Sequence, residues 1–275
     1  MNHNSSVQTL PIQVLVATMG QVDHSLISKM NLQTDAVIGN QCERCSNDEY
    51  VINGKKYLYL NRPERGVGLN RNTALSHMGN GIITIADDDM TFVDNYESII
   101  QNAFNQLPDA DAIIFNIQTI GTDMGRRINS KIKRIHFFNA FNYGATRISI
   151  KSVCVKRENL SFHTCFGGGT RYSCGEDTLF IADMLRHHLK IYAYPAFVGS
   201  VDQTSSTWFN GYTEKFYFDK GVLNKALSRS FAKPLCLYML LRHPDYKKSG
   251  LTFSTAYRQM CKGMRAYSSL SSFNS

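Results

Sequence analysis

No stretch of the 275 residues is apolar for long enough to cross a bilayer. The longest apolar run, Leu235–Leu241, falls far short of the ~20 residues a spanning helix needs. Met1–Leu10 is polar and has no continuous apolar core, so no secretory leader is expected, and the expected compartment is the cytoplasm. Seven cysteines are an odd number at scattered spacing, which fits reduced thiols better than a disulfide framework. Cys42-Glu-Arg-Cys45 is the one CxxC, and a zinc knuckle would want a second pair that Cys154, Cys165 and Cys174 do not supply. Internal repeats, low-complexity runs and an obvious interdomain linker are all missing, which leaves one sizeable core or a core with a small appendage.

What is present is globular in composition: 43% apolar residues, with 14 Tyr and 16 Phe. The formal charge of +8 calls for an anionic partner: nucleic acid, a phosphorylated metabolite or an acidic lipid surface. Apolar, β-prone runs predict strands at Ile12–Ala17, Asp35–Ile38, Tyr57–Leu60, Ile82–Ile85, Ala112–Ile117, Ile148–Val155 and Ile191–Tyr194. Helices are predicted at Leu26–Met30, Leu69–Met78, Tyr96–Leu107 and Thr178–Leu189. The alternation predicts an α/β fold with a mostly parallel central sheet flanked by helices.

Two acidic sites stand out. The strand at Ile82 runs straight into Asp87-Asp88-Asp89, and adjacent carboxylates at the carboxyl edge of a sheet are accounted for by a divalent cation, by ligand hydroxyls or by a solvated turn. Ninety residues on, Phe166-Gly-Gly-Gly leads to Gly175-Glu176-Asp177 at the start of a predicted helix. There the acids either cap the helix or face a ligand that the glycines let approach. Arg126, Arg127, Lys131, Lys133 and Arg134 form a basic stretch, read as a solvated loop or as a clamp for pyrophosphate. Trp208, the lone tryptophan, lies in a polar and aromatic segment that suits a sugar ring or a core position. From Lys233 onward, Leu, Met and Tyr residues alternate with Arg and Lys at helical spacing, which fits either a helix in a membrane interface or one packed on the body.

Together these stretches resemble a family 2 glycosyltransferase of the GT-A fold over roughly residues 12–189. The resemblance rests on Val16-Ala17-Thr18 after the first strand, Gly68-Leu69-Asn70-Arg71-Asn72, the Asp87-Asp88-Asp89 strand end, and the glycine-rich loop before Gly175-Glu176-Asp177. It implies a GT-A catalytic domain over residues 1–200 and a helical acceptor- or membrane-associating region over 201–275. The implied reaction is inverting transfer of one sugar, without a covalent sugar–enzyme intermediate, from a nucleotide sugar to a glycan or polyprenyl-linked acceptor in capsule or O-antigen synthesis. By the same resemblance, Asp177 is the general base and Glu176 its support. Thr18, Asn40, Gly68, Arg71, Asn72, Asp87 and Asp88 bind the donor. Asp87 and Asp89 hold Mn²⁺ or Mg²⁺, with Asp88 able to replace either. Gly168, Gly169 and Trp208 meet the acceptor; the tail from Lys233 adds the expectation of a cytoplasmic enzyme that is either soluble or attached at the inner face of the plasma membrane. Gly39-Asn40-Gln41 stands where many relatives carry an acidic pair against the nucleobase; Asn40 can still hydrogen-bond a base edge. No Gln-x-x-Arg-Trp motif of processive synthases is present, which favours a single addition.

Two other functions fit less of the sequence. A sugar-nucleotide nucleotidyltransferase would show a Gly-, Arg- and Lys-bearing signature after the first strand, where this chain has Thr18-Met-Gly-Gln-Val-Asp. A nucleic-acid-binding protein would cluster its basic residues in a binding motif and would not place three aspartates at the presumed pocket, so no nucleic acid is expected as partner.

Overall fold

The computed structural model describes residues 9–121, 127–141, 143–202 and 211–271. Its elements run β1 (Ile12–Met19), α1 (Ser25–Lys29), β2 (Asp35–Gln41), β3 (Ser46–Ile52), β4 (Lys55–Arg62), α2 (Val67–Ser76), β5 (Ile82–Asp87) and β6 (Met90–Phe92). They continue with α3 (Tyr96–Gln106), β7 (Ala112–Ile120), β8 (Lys133–Arg134), β9 (Ile148–Lys151), α4 (Ser152–Arg157), α5 (Glu176–Arg186) and β10 (Ile191–Asp202). Three helices follow, α6 (Glu214–Leu227), α7 (Ala232–Arg242) and α8 (Phe253–Ser271).

The strands form one sheet in the order β3-β4-β2-β1-β5-β9-β7-β10-β6, with β8 alongside β10. Strands β4, β2, β1 and β5 are mutually parallel, as their near-continuous apolar runs predict for strands covered on both faces. Alternate residues go to opposite sides: Val14 and Val16 face one core with Ile38 and Phe115, while Leu15 faces the other with Ile83 and Ile85.

The sheet is more mixed than the sequence suggests. Between β5 and β7 lies β9, antiparallel to both, and the strand expected to reach Val155 stops at Lys151, where α4 begins. At one edge β3 folds back on β4 through Asn53-Gly54, both at positive φ, a two-residue hairpin absent from the expectation. At the C-terminus, α8 crosses α6, and Met260 and Met264 are buried against Tyr217, Cys236 and Leu240. Of the two readings of the tail, packing on the body therefore holds for α8. Among the described residues no helix is long and apolar enough to cross a membrane.

Candidate active site

The carboxyl ends of β1, β2 and β5 make one rim, with Asp87 level with Ala17 and Asn40 level with Thr18. Helix α2 delivers Arg71 beneath that rim. A Cβ at residue 68 would stand 2.8 Å from the His163 carbonyl oxygen, so Gly68 is what lets α2 lie against the loop at 162–163. One turn further, Asn72 clamps Phe162: its amide donates to the Phe162 carbonyl at 2.8 Å and its oxygen accepts from the Phe162 N–H at 2.7 Å. Arg71, only 5% exposed, lies 5.2 Å from the centre of the Phe162 ring.

The guanidinium joins the two acidic sites. Its Nη2 donates to both oxygens of Asp87 at 2.9 Å, and its Nη1 donates to Asp177 at 2.8 Å and to Glu176 at 3.3 Å. The strand-end aspartates and the start of α5 thus converge within the width of one guanidinium. Burial opposes the Arg71 charge, but three carboxylates overcome it and hold the group cationic well above its ordinary range. Burial raises the Asp87 carboxyl against the pull of Arg71. Glu176 is pushed up to about 7 by burial and by the neighbouring Asp177 charge, with Arg71 opposing. One guanidinium leaves an excess of negative charge at the pocket floor, to be met by a proton or by a bound cation.

The glycine-rich loop makes room for this cluster. Gly167 has φ +97°, and a Cβ there would come within 2.6 Å of both the Glu176 carboxyl carbon and Val67. Asp88 accepts the Thr18 hydroxyl at 2.5 Å, and Gln21 donates to that hydroxyl at 2.9 Å. Asp89 is exposed, and its backbone carbonyl accepts from the Asp202 N–H at 3.0 Å, tying the strand end to the end of β10. These groups border an open pocket of about 400 Å³.

Of the residues singled out by sequence, Thr18, Arg71, Asp87, Asp88, Asp89, Gly168, Gly169, Glu176 and Asp177 all line this pocket. Gly68 and Asn72 do not; they seat α2 and the loop that carry the others. Asn40 departs from its expected place against a nucleobase. It is fully buried; its oxygen accepts from the Gln21 N–H, and its amide donates to the Gln21 carbonyl and to Asn61. Both ends of the amide are engaged inside the protein, which leaves it as the brace of the turn after β1. Trp208 and Arg126 lie outside the described residues. Lys133 and Arg134 pair with Ala193 and Tyr192 near the start of β10, the end away from the rim, so that part of the basic stretch is no clamp.

Sequence reasoning missed Gln41, which accepts the Gly66 N–H at 2.9 Å, and Tyr143, Ser173 and Lys220, all of which line the pocket. Lys220 comes from α6, and no local pattern marks it. Ser173 is held by the buried Asp219, whose Oδ2 accepts both its N–H and its hydroxyl. Among the described residues no group of three or more His, Cys, Asp or Glu side chains is arranged to hold a metal ion.

No protein-family model matches the chain, and no curated protein is significantly similar to it. Solved structures do match. S. aureus TarS (residues 1–349) in complex with UDP-GlcNAc superposes with a TM-score of 0.65 at 13% identity, over 94% of this chain and 80% of that one. The same protein in complex with UDP gives 0.59 at 13% identity, over 89% and 76%. A third TarS structure gives 0.57 at 16% identity, over 85% of this chain and 43% of that one. The likeness is one of fold: the chain has the GT-A architecture expected from its sequence, with a helical C-terminal region.

Proposed function

We propose that this chain is an inverting glycosyltransferase that moves one sugar from a nucleotide sugar, UDP-linked in the first instance, to a hydroxyl of a glycan or polyprenyl-linked acceptor in surface-polysaccharide synthesis. The observation that carries the reading is the guanidinium of Arg71, which draws Asp87 of the strand end and Asp177 of α5 to the floor of one pocket. The shared fold with a protein solved with UDP-GlcNAc supports the donor class.

In this reading Asp177 is the base. Its Oδ1 takes the Arg71 hydrogen bond, and its Oδ2 makes no hydrogen bond among the described residues, so that oxygen is left for an acceptor hydroxyl. Arg71 fixes the carboxylate's direction. Glu176, raised to about 7, carries a proton for part of the neutral range, which relieves repulsion with Asp177. Gly168 and Gly169 leave backbone open to the acceptor side of the pocket.

The donor set fits a hard divalent cation brought in with the diphosphate, since Mn²⁺ or Mg²⁺ takes one or two carboxylates together with phosphate oxygens. Asp89 would hold that cation, with Asp87 and Asp88 beside it at the strand end on the same pocket rim. Such a cation supplies Lewis-acid stabilisation of the departing diphosphate. The test is UDP release from UDP-sugars with Mn²⁺ and a hydroxyl acceptor. Asp177→Asn is expected to lower turnover about 10²–10⁴-fold while donor binding persists; release of pyrophosphate from UTP and a sugar phosphate instead would overturn the assignment.

A further inference from the structure

The transfer reaction leaves one part of the molecule unused. Residues 211–275 hold 11 Lys and Arg against 3 Asp and Glu, while residues 1–210 hold 19 of each, so the whole formal charge of +8 lies in the last quarter of the chain. Helix α7 gives Ala232, Cys236 and Leu240 to the core that it shares with α6 and α8. Its opposite face is apolar too. Pro234, Leu237, Tyr238 and Leu241 fall three and four residues apart on one stripe, with Phe231 at its start. That stripe meets water: Phe231 is 66% exposed, Tyr238 64% and Leu241 73%.

Basic residues edge the stripe. Lys233 and Arg242 flank it, and Lys247 and Lys248 follow. Lys248 pairs with Asp245, whereas no ion pair forms at Lys233, Arg242 or Lys247 among the described residues. An exposed apolar stripe of this kind marks a binding face. Its basic border selects the occupant. A second copy of the same face would set like charges against each other, and nucleic acid would leave the apolar centre unmatched. An anionic bilayer satisfies both parts, taking apolar side chains into the acyl boundary and ammonium and guanidinium groups onto phosphates.

We propose that α7 is a membrane-docking helix, lying along an anionic bilayer with Phe231, Leu237, Tyr238 and Leu241 in the headgroup boundary and Lys233, Arg242 and Lys247 on lipid phosphates. Helix α6 packs on α7 through Tyr217 and also lends Lys220 to the pocket, so docking sets the attitude of the pocket to the lipid surface. The inference stands independently of the transfer chemistry, because its readout is lipid binding alone.

The experiment sediments the full chain with vesicles of phosphatidylcholine, with and without phosphatidylglycerol, at low and raised salt. Binding is expected only with phosphatidylglycerol and is expected to weaken with salt. Each of Lys233→Ala, Arg242→Ala and Lys247→Ala should weaken it about fivefold. Leu237→Ser with Leu241→Ser should abolish it at unchanged circular dichroism and Tm, and Tyr238→Trp should be quenched by brominated acyl chains. Equal binding to neutral vesicles, no binding to either, or full binding by the serine variant overturns the proposal. So does a dimer in sedimentation velocity that the serine variant splits, which would give the face to a second copy.

Discussion

At the pocket floor a single buried guanidinium faces three carboxylates, while on α7 unpaired cations stand in water around an apolar stripe. The first 210 residues balance their charges, and the last 65 carry all of the excess. In the pocket each charge is fixed by its neighbours, and removing one leaves the rest unpaired in a poorly solvated place. On α7 each charge is solvated and adds little to stability, yet acts over a Debye length on an opposing surface. The difference teaches where substitution should hurt folding and where it should touch only association.

The largest effect is expected at Arg71. Replacing it by Met strands three carboxylates and should cost about 3–5 kcal/mol of stability by urea denaturation. Arg71→Lys should recover only part of this, because one ammonium cannot reproduce the bidentate bond to Asp87 while also reaching Asp177. A full-strength Arg71→Met protein would break the contrast between the two regions. Next comes Gly167→Ala, which forces a side chain into a positive φ and against Glu176, and should cost about 1–3 kcal/mol with a matching loss of transfer activity.

A subtler effect is one of pH. The folded protein keeps a proton on Glu176 that the unfolded chain has already released between about 4.5 and about 7. This group therefore makes stability fall as pH rises through that interval. Thermal melts across it should show the decline, and Glu176→Gln should flatten it. Smallest is Leu241→Ser on α7: stability should stay within about 0.5 kcal/mol, since the side chain is 73% exposed. A larger loss would mean that the outer face of α7 is covered within the protein and that the comparison is drawn too sharply.

The parallel strands were readable because residues buried on both faces must be apolar on both, as in Val14, Leu15 and Val16. The hairpin at Asn53-Gly54 had its signal in that dipeptide, but the strand before it, Ser46–Ile52, is polar and at the sheet edge, so no apolar run announced it. Strand β9 was expected, but as far as Val155, because its Ile-rich run continues without a break into Ser152–Arg157, and nothing in the order of residues says where extended chain becomes helix. In the pocket the aspartates and the Gly-Glu-Asp segment were visible as local oddities. Asn40 misled because a polar residue at a strand end looks the same whether it faces a ligand or braces its own turn.

By itself the sequence determined the alternation of strands and helices, the carboxylates at the strand end and at the start of α5, and the basic tail, because each is written in consecutive residues. Only the tertiary structure decided that Arg71 joins Asp87 to Asp177, that Lys220 reaches the pocket from α6, and that α8 turns its methionines inward while α7 keeps an apolar face in water. The reason is physical: a side chain's chemistry is local, but its partner and its solvent are set by elements far away along the chain that packing brings beside it.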